Sequence, residues 1–172
     1  ITKVCGELLS NYYFQKYGTD TRSVRFPGII SHETKPGGGT TDYSVEMYYA
    51  AVEGRPYTCF VREDTVLPMM YMPDAIKALI DLGEANGSRL KHRVYNLNSM
   101  SFSAGELAES IRKIIPSFKC DYKPDYRQAI ADSWPVLLDD SAARKEWNWK
   151  PDFDLPKMTE DMIKNLKRKL RK

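Results

Sequence analysis

Asp139-Asp140-Ser141-Ala142-Ala143-Arg144-Lys145-Glu146-Trp147-Asn148-Trp149-Lys150-Pro151 reads as a short helix with its stop signal attached. Ser141 is placed to cap two turns of helix, on which Ala142, Ala143 and Trp147 pack. Asn148 then takes the left-handed position that ends it, Trp149 docks, and Pro151 prevents continuation. On either side the same alternation of structure continues. Val94-Tyr95-Asn96-Leu97 reads as a buried strand before it, and Met162, Leu166 and Leu170 line one face of a last helix after it.

Further out, helices and strands keep alternating, which argues for α/β layering. Val4, Leu8 and Tyr12 recur at helical spacing, and Gly18 stands where a left-handed residue would stop that helix. No Ser, Asp or Pro cap precedes Ile1, so the expectation is a helix that continues upstream in a longer protein. Thr21 to Phe26 alternates as a strand that Pro27-Gly28 ends, and a polar loop runs from Ser31 to Thr40. Val45, Tyr48, Tyr49 and Val52 mark a helix closed by Gly54, and Tyr57 to Val61 a short strand. Met69 to Met72 leads through Pro73 and the expected cap Asp74 into a helix carrying Ile76, Leu79 and Ile80. Ser103-Ala104-Gly105-Glu106 is a capping box opening a helix with Leu107, Ile111 and Ile114 on its core face. A strand near Lys119 to Tyr122 and a short helix near Tyr126 to Ala131 complete the series.

With 172 residues, 42% of them apolar and 12% aromatic, the chain can build one core without disulfide or metal staples. The net charge is +3, and the basic excess sits in Lys164, Lys167, Arg168, Lys169, Arg171 and Lys172. No aromatic residues interleave with that run, so it reads as a solvated helix face, with neither nucleic acid nor membrane expected as partner. No apolar stretch approaches the roughly 18 residues of a membrane span. Cys5, Cys59 and Cys120 are far apart and form no C-x-x-C pair, which fits a reducing intracellular compartment. His32 and His92 have no Cys or carboxylate cluster at ligand spacing, so no metal is expected.

Gly37-Gly38-Gly39 followed by Thr40-Thr41-Asp42 and a helix forms a junction that can bind an anion through free N–H groups, the helix dipole and two hydroxyls. The same residues also read as a mobile loop in which Thr41 or Asp42 caps the helix. The dinucleotide fingerprint G-x-G-x-x-G is absent.

The Asp139–Pro151 string resembles the D-x-S-x-A-x-x-E-L-G-W-x-P pattern of extended short-chain dehydrogenases and nucleotide-sugar epimerases, with Trp147 for Leu and Asn148 for Gly. Arg25 to Ser31 resembles that family's nicotinamide-facing strand and turn, Met69 to Ala75 its apolar strand leading to an Asp, and Ile1-Thr2-Lys3 the tail of its Tyr-x-x-x-Lys signature. The run Lys35 to Tyr43 and the Ser133-Trp134-Pro135 segment are similar to the L-threonine 3-dehydrogenase branch rather than to the epimerases.

The resemblance implies the carboxy-terminal part of a Rossmann-type α/β enzyme. Residues 1–30 would be the last part of the dinucleotide-binding fold, and 31–172 mainly the substrate-binding subdomain, with short returns to the Rossmann sheet. It implies NAD-dependent oxidation of L-threonine at the 3-hydroxyl by the intact enzyme, the signature tyrosine lying upstream of Ile1. Lys3 would lower that tyrosine's pKa and meet the nicotinamide ribose. Pro27, Gly28 and Ile29 would hold the nicotinamide. Gly39, Thr40 and Thr41 would receive the substrate carboxylate, Asp42 would meet the ammonium or cap the helix, and Trp134 would cover the substrate. A homodimer through the helix near Val4–Tyr17, and a mitochondrial setting for a eukaryotic relative, follow from the same resemblance. A nucleotide-sugar epimerase or dehydratase half, and an inactive truncated ligand-binding fragment, stay open as alternatives.

Overall fold

The structure, a computed structural model, describes residues 1–170, so Arg171 and Lys172 of the basic run lie outside the described residues. Helix α1 (Thr2–Tyr17) stops at Gly18, whose φ of 68° is the left-handed conformation expected from the sequence. Its apolar stripe is not a core face, because no residue of α1 is buried and Val4, Leu8 and Tyr12 stand in the open. Polar ties hold the helix in place. The Glu7 carboxylate accepts from Arg25 at 2.6 and 2.8 Å, Thr21 donates to the Ser10 carbonyl at 3.0 Å, and the Arg93 guanidinium lies 4.0 Å from the Phe14 ring centroid.

Strand β1 (Ser23–Arg25) pairs in parallel with β5 (Val94–Asn96). β1 stops at Arg25, ahead of Pro27-Gly28, as expected, but Gly28 itself opens a second strand. After Phe26 and Pro27 the chain continues as β2 (Gly28–Ile30), which pairs in parallel with β4 (Val66–Tyr71), and β4 pairs antiparallel with β6 (Met100–Ser103). Proline lacks a donor but does not prevent its successor from joining a ladder. A third pair, β3 (Tyr57–Cys59) with β7 (Cys120–Tyr122), is also parallel.

Helix α2 (Tyr43–Val52) is almost wholly buried and closes at Gly54, with φ of 68°. Helix α3 (Met72–Glu84) follows β4 directly, with Tyr71 rather than Asp74 at its cap position. Asp74 is buried in the first turn, where its carboxylate accepts from the Asp152 N–H at 2.9 Å and the Phe153 N–H at 3.2 Å. The side chains expected to face the core, Ile76, Leu79 and Ile80, are 52%, 53% and 53% exposed, while Ala75, Ala78 and Leu82 are buried. Large residues marked the wrong face because the buried one approaches its neighbours closely through alanines.

Helix α4 (Ala104–Arg112) carries the expected capping box, the Ser103 hydroxyl accepting from the Glu106 N–H at 3.0 Å and the Glu106 carboxylate from the Ser103 N–H at 2.7 Å. Leu107 and Ile111 are buried, but Ile114 falls beyond the helix end and is exposed. Helix α5 (Arg127–Asp132) is short. Helix α6 (Ser141–Trp147) ends at Asn148, with φ of 59°, as expected. Asp140, not Ser141, holds its cap position, and the Ser141 N–H, the first of the helix, donates to the Asp139 carboxylate at 3.0 Å. Trp149 docks in the core, its indole donating to the Asn98 carbonyl at 3.3 Å.

Helix α7 (Leu155–Leu170) buries Met162 and Leu166 against α2 and α4. Two cores result. The larger joins α2, β3, β4, α4 and α7, and the smaller gathers Ala75, Leu82, Tyr95, Trp147 and Trp149 with Val24 and Ile29 packed beside them. Among the described residues no helix is long and apolar enough to cross a membrane.

Candidate active site

A cleft of about 440 Å³ opens where the β1–β2 connection, the start of α2 and the segment after α5 converge. Five residues expected from the sequence line it: Pro27, Gly28, Ile29, Thr41 and Trp134. Phe26, Pro68, Pro135 and Leu138 complete the walls. Pro68 and Leu138 were not foreseen. Proline inside an apolar strand was the available signal for Pro68, since such a residue sits where a ladder is incomplete, and the β2 pairing begins one residue later at Met69. Leu138 carried no signal.

Gly28 is required by crowding. A Cβ there would lie 2.8 Å from Thr41 Cγ2 and 2.6 Å from Met69 Sδ, far inside van der Waals contact. The missing side chain lets Thr41 close on the β2 backbone, which brings the head of α2 to the cleft. No lining side chain is charged, so the walls are apolar apart from backbone groups, the Trp134 indole and the Thr41 hydroxyl.

The glycine loop differs from expectation. Its N–H groups are not free for an external anion, because one Asp42 carboxylate oxygen accepts from Gly37 at 2.7 Å, Gly38 at 2.7 Å and Gly39 at 2.9 Å. Asp42 holds the cap position of α2 without making a side-chain cap bond to the helix, so its carboxylate turns back to fold the loop. A nest of successive N–H groups takes an anion wherever one is within reach, and here the chain supplies its own. Thr41 lines the cleft, whereas Gly39, Thr40 and Asp42 are not among its lining residues. Lys3 is exposed on α1 and is not among the lining residues.

A second cleft, of about 670 Å³, is lined by Lys91, His92, Lys145 and Glu146 among others. Its buried acid is committed inward. Burial alone would raise the Glu146 carboxyl, but hydrogen bonds from the Tyr95 hydroxyl at 2.6 Å, the Lys91 N–H at 2.7 Å and the His92 ring at 2.6 Å outweigh it and hold the group at about 2. Among the described residues no three His, Cys, Asp or Glu side chains are grouped to hold a metal ion.

No family model matches the chain. It is 53% identical over 171 residues, 98% of its length, to an uncharacterized epimerase/dehydratase of Staphylococcus haemolyticus, and covers 54% of that protein. A similar protein of Staphylococcus saprophyticus is 52% identical over 165 residues, covering 95% of this chain and 52% of the relative. The crystal structure of L-threonine dehydrogenase from Phytophthora infestans superposes with a TM-score of 0.94 at 56% identity, over 98% of this chain and 55% of that one. The L-threonine dehydrogenase of Clostridium difficile gives 0.94 at 54% identity, over 98% and 53%. UDP-glucose 4-epimerase of Thermotoga maritima, at 17% identity and a TM-score of 0.81 over 99% of this chain and 53% of that one, shares the fold alone. The chain spans about half the length of the relatives it matches.

Proposed function

We propose, from the premise that this chain belongs with the L-threonine 3-dehydrogenases of the extended short-chain dehydrogenase family, that it is the carboxy-terminal half of an enzyme oxidising L-threonine to 2-amino-3-oxobutanoate with NAD. The observation that supports this reading best is the cleft, which collects Pro27, Gly28, Ile29, Thr41 and Trp134 from segments far apart in sequence. Residues 1–30 close the dinucleotide-binding fold in this reading, and 31–172 form mainly the substrate-binding subdomain. The smaller core supports that division, since Val24 and Ile29 pack beside side chains returning from α3, β5 and α6.

The walls fit the cofactor's reactive end. A flat nicotinamide suits a surface made of Pro27, the bare backbone at Gly28, and Ile29. When bound, the nicotinamide supplies the hydride acceptor. Thr41 offers its hydroxyl to the substrate carboxylate, with Thr40 beside it, and Trp134 covers the substrate and excludes water. Gly39 and Asp42 act from outside the lining, Gly39 by donating to the Asp42 carboxylate and Asp42 by fixing the loop rather than by pairing with the ammonium. Lys3 supports the proton transfer by favouring the phenolate of a tyrosine upstream of Ile1.

The intact enzyme pairs as a homodimer through Val4 to Tyr17, whose apolar side chains stand open here. An intracellular setting is proposed. Nothing among the relatives supports a mitochondrial one, and the curated relatives named above are bacterial.

The test is threonine-dependent NADH formation by the intact polypeptide, with this chain alone expected to be silent. A nucleotide-sugar epimerase or dehydratase is the second reading, favoured by the description of the staphylococcal relatives. Turnover of a uridine-diphosphate sugar without threonine oxidation would select it. Neither activity in the intact protein would leave a ligand-binding relative.

A further inference from the structure

We infer that α7 positions the substrate loop through Lys169, His32 and Asp161, three residues that line no part of the cleft. The inference rests on the reading that Thr41 meets the substrate. Residues 31–42 join β2 to α2, and a segment of that length with three glycines would wander unless tied. Its far end is tied by Asp42 in the glycine nest. Its near end is tied to α7.

Lys169 lies in the last turn of α7, and its ammonium donates to the His32 carbonyl at 3.0 Å and the Glu33 carbonyl at 2.7 Å. Binding two successive carbonyls fixes the backbone direction there, which one side-chain contact would not. The His32 ring adds a second tie. Its Nδ1 lies 2.8 Å from the hydroxyl of Tyr71, and that hydroxyl donates to the Asp161 carboxylate on α7 at 2.7 Å. Tyr71 is fully buried and has one proton to give. Given to Asp161, it leaves the oxygen free to accept the Nδ1–H of His32, so ring, phenol and carboxylate form one directed chain from loop to helix.

Glu33, beside His32 and mostly exposed, lies 3.0 Å from the ring's other nitrogen, a contact that is an ion pair only when the ring carries both protons and that adds little in water. The segment is thus held at both ends, and Thr41 is delivered to Gly28 from a frame that α7 sets. These are positioning residues, whose loss should loosen substrate binding and leave the chemical step largely intact.

The experiment compares Lys169→Ala, Lys169→Arg, Asp161→Asn and Thr41→Ala in the intact enzyme. Because Lys169 is exposed, its variants should fold. We expect Lys169→Ala to raise the threonine KM roughly three- to tenfold with kcat nearly unchanged, and Lys169→Arg to restore it. Combining Lys169→Ala with Thr41→Ala should raise KM by less than the product of the single effects, because both act through one contact. A raised KM in Thr41→Ala with Lys169→Ala and Asp161→Asn both unmoved would overturn the inference. A Thr41→Ala enzyme with unaltered KM would instead remove the reading of the cleft, and this inference with it.

Discussion

Gly28 and Thr41 meet so closely that a single methyl group at position 28 would come within 2.8 Å of Thr41 Cγ2. One glycine in β2 thus sets how near the head of α2 comes to the strand, and with it the width of the cleft.

Gly28→Ala should therefore cost about 1 to 3 kcal/mol, the usual range for overpacking a filled site. Thr41→Ser removes the methyl that the new Cβ would strike, so the double variant should regain part of the loss. Met69 Sδ, also in the way at 2.6 Å, limits the recovery. Urea unfolding midpoints give the comparison, and a double variant no better than Gly28→Ala alone would mean that Thr41 is not the obstacle.

Asp42→Ala should orphan three backbone donors at once. The loop is partly open to water, so the expected loss of stability is modest, about 1 kcal/mol. The vacated nest should then accept a small external anion. Thermal unfolding in formate against chloride at equal ionic strength should show added stability in the variant and none in the parent, and equal responses would rule the nest out.

Glu146 makes a pH-dependent contribution whose sign is fixed. Its folded-state value of about 2 lies below the ordinary 4.5, so the stability it provides is present above about pH 4.5 and is lost as the pH falls toward 2. Glu146→Gln should be less stable than the parent by roughly 2 to 3 kcal/mol at pH 7, and the gap should shrink steadily below pH 4.5. A constant gap across that range would show that the carboxylate charge is not what matters.

The open side chains of α1 predict an interface in the intact protein. Leu8 is 64% exposed and stands with Val4 and Tyr12 on a helix that buries nothing. Leu8→Glu should convert a dimer to a monomer in sedimentation experiments while leaving the melting profile of this chain alone little changed. A parent protein that is already monomeric would refute the dimer.

Elements with explicit punctuation were readable from sequence: Gly18 and Asn148 stopping helices in the left-handed region, and Ser103 with Glu106 opening one. Faces were less readable. Ile76, Leu79 and Ile80 imitate a core stripe because hydropathy alone does not say against what a helix lies, and in α3 the alanines face inward. Asp74 and Glu146 were misread or passed over for a related reason. Acidic residues near helix ends look like caps or solvated surface, whereas both are buried and gather donors from segments distant in sequence.

In the candidate site, the resemblance picked out Pro27, Gly28, Ile29, Thr41 and Trp134 before their convergence was visible. The inward turn of Asp42 was not legible, since no spacing rule separates a carboxylate that caps forward from one that folds backward.

That backward turn makes Asp42 an intramolecular competitor. Tethered only a few residues from the amides it occupies, it acts at an effective concentration of millimolar or more, against which dilute free anions compete poorly. The loop is thereby deaf to the background of small acids around it, and under the proposed function a substrate would be admitted for its fit to Thr41 and the cleft walls rather than for merely carrying a negative charge.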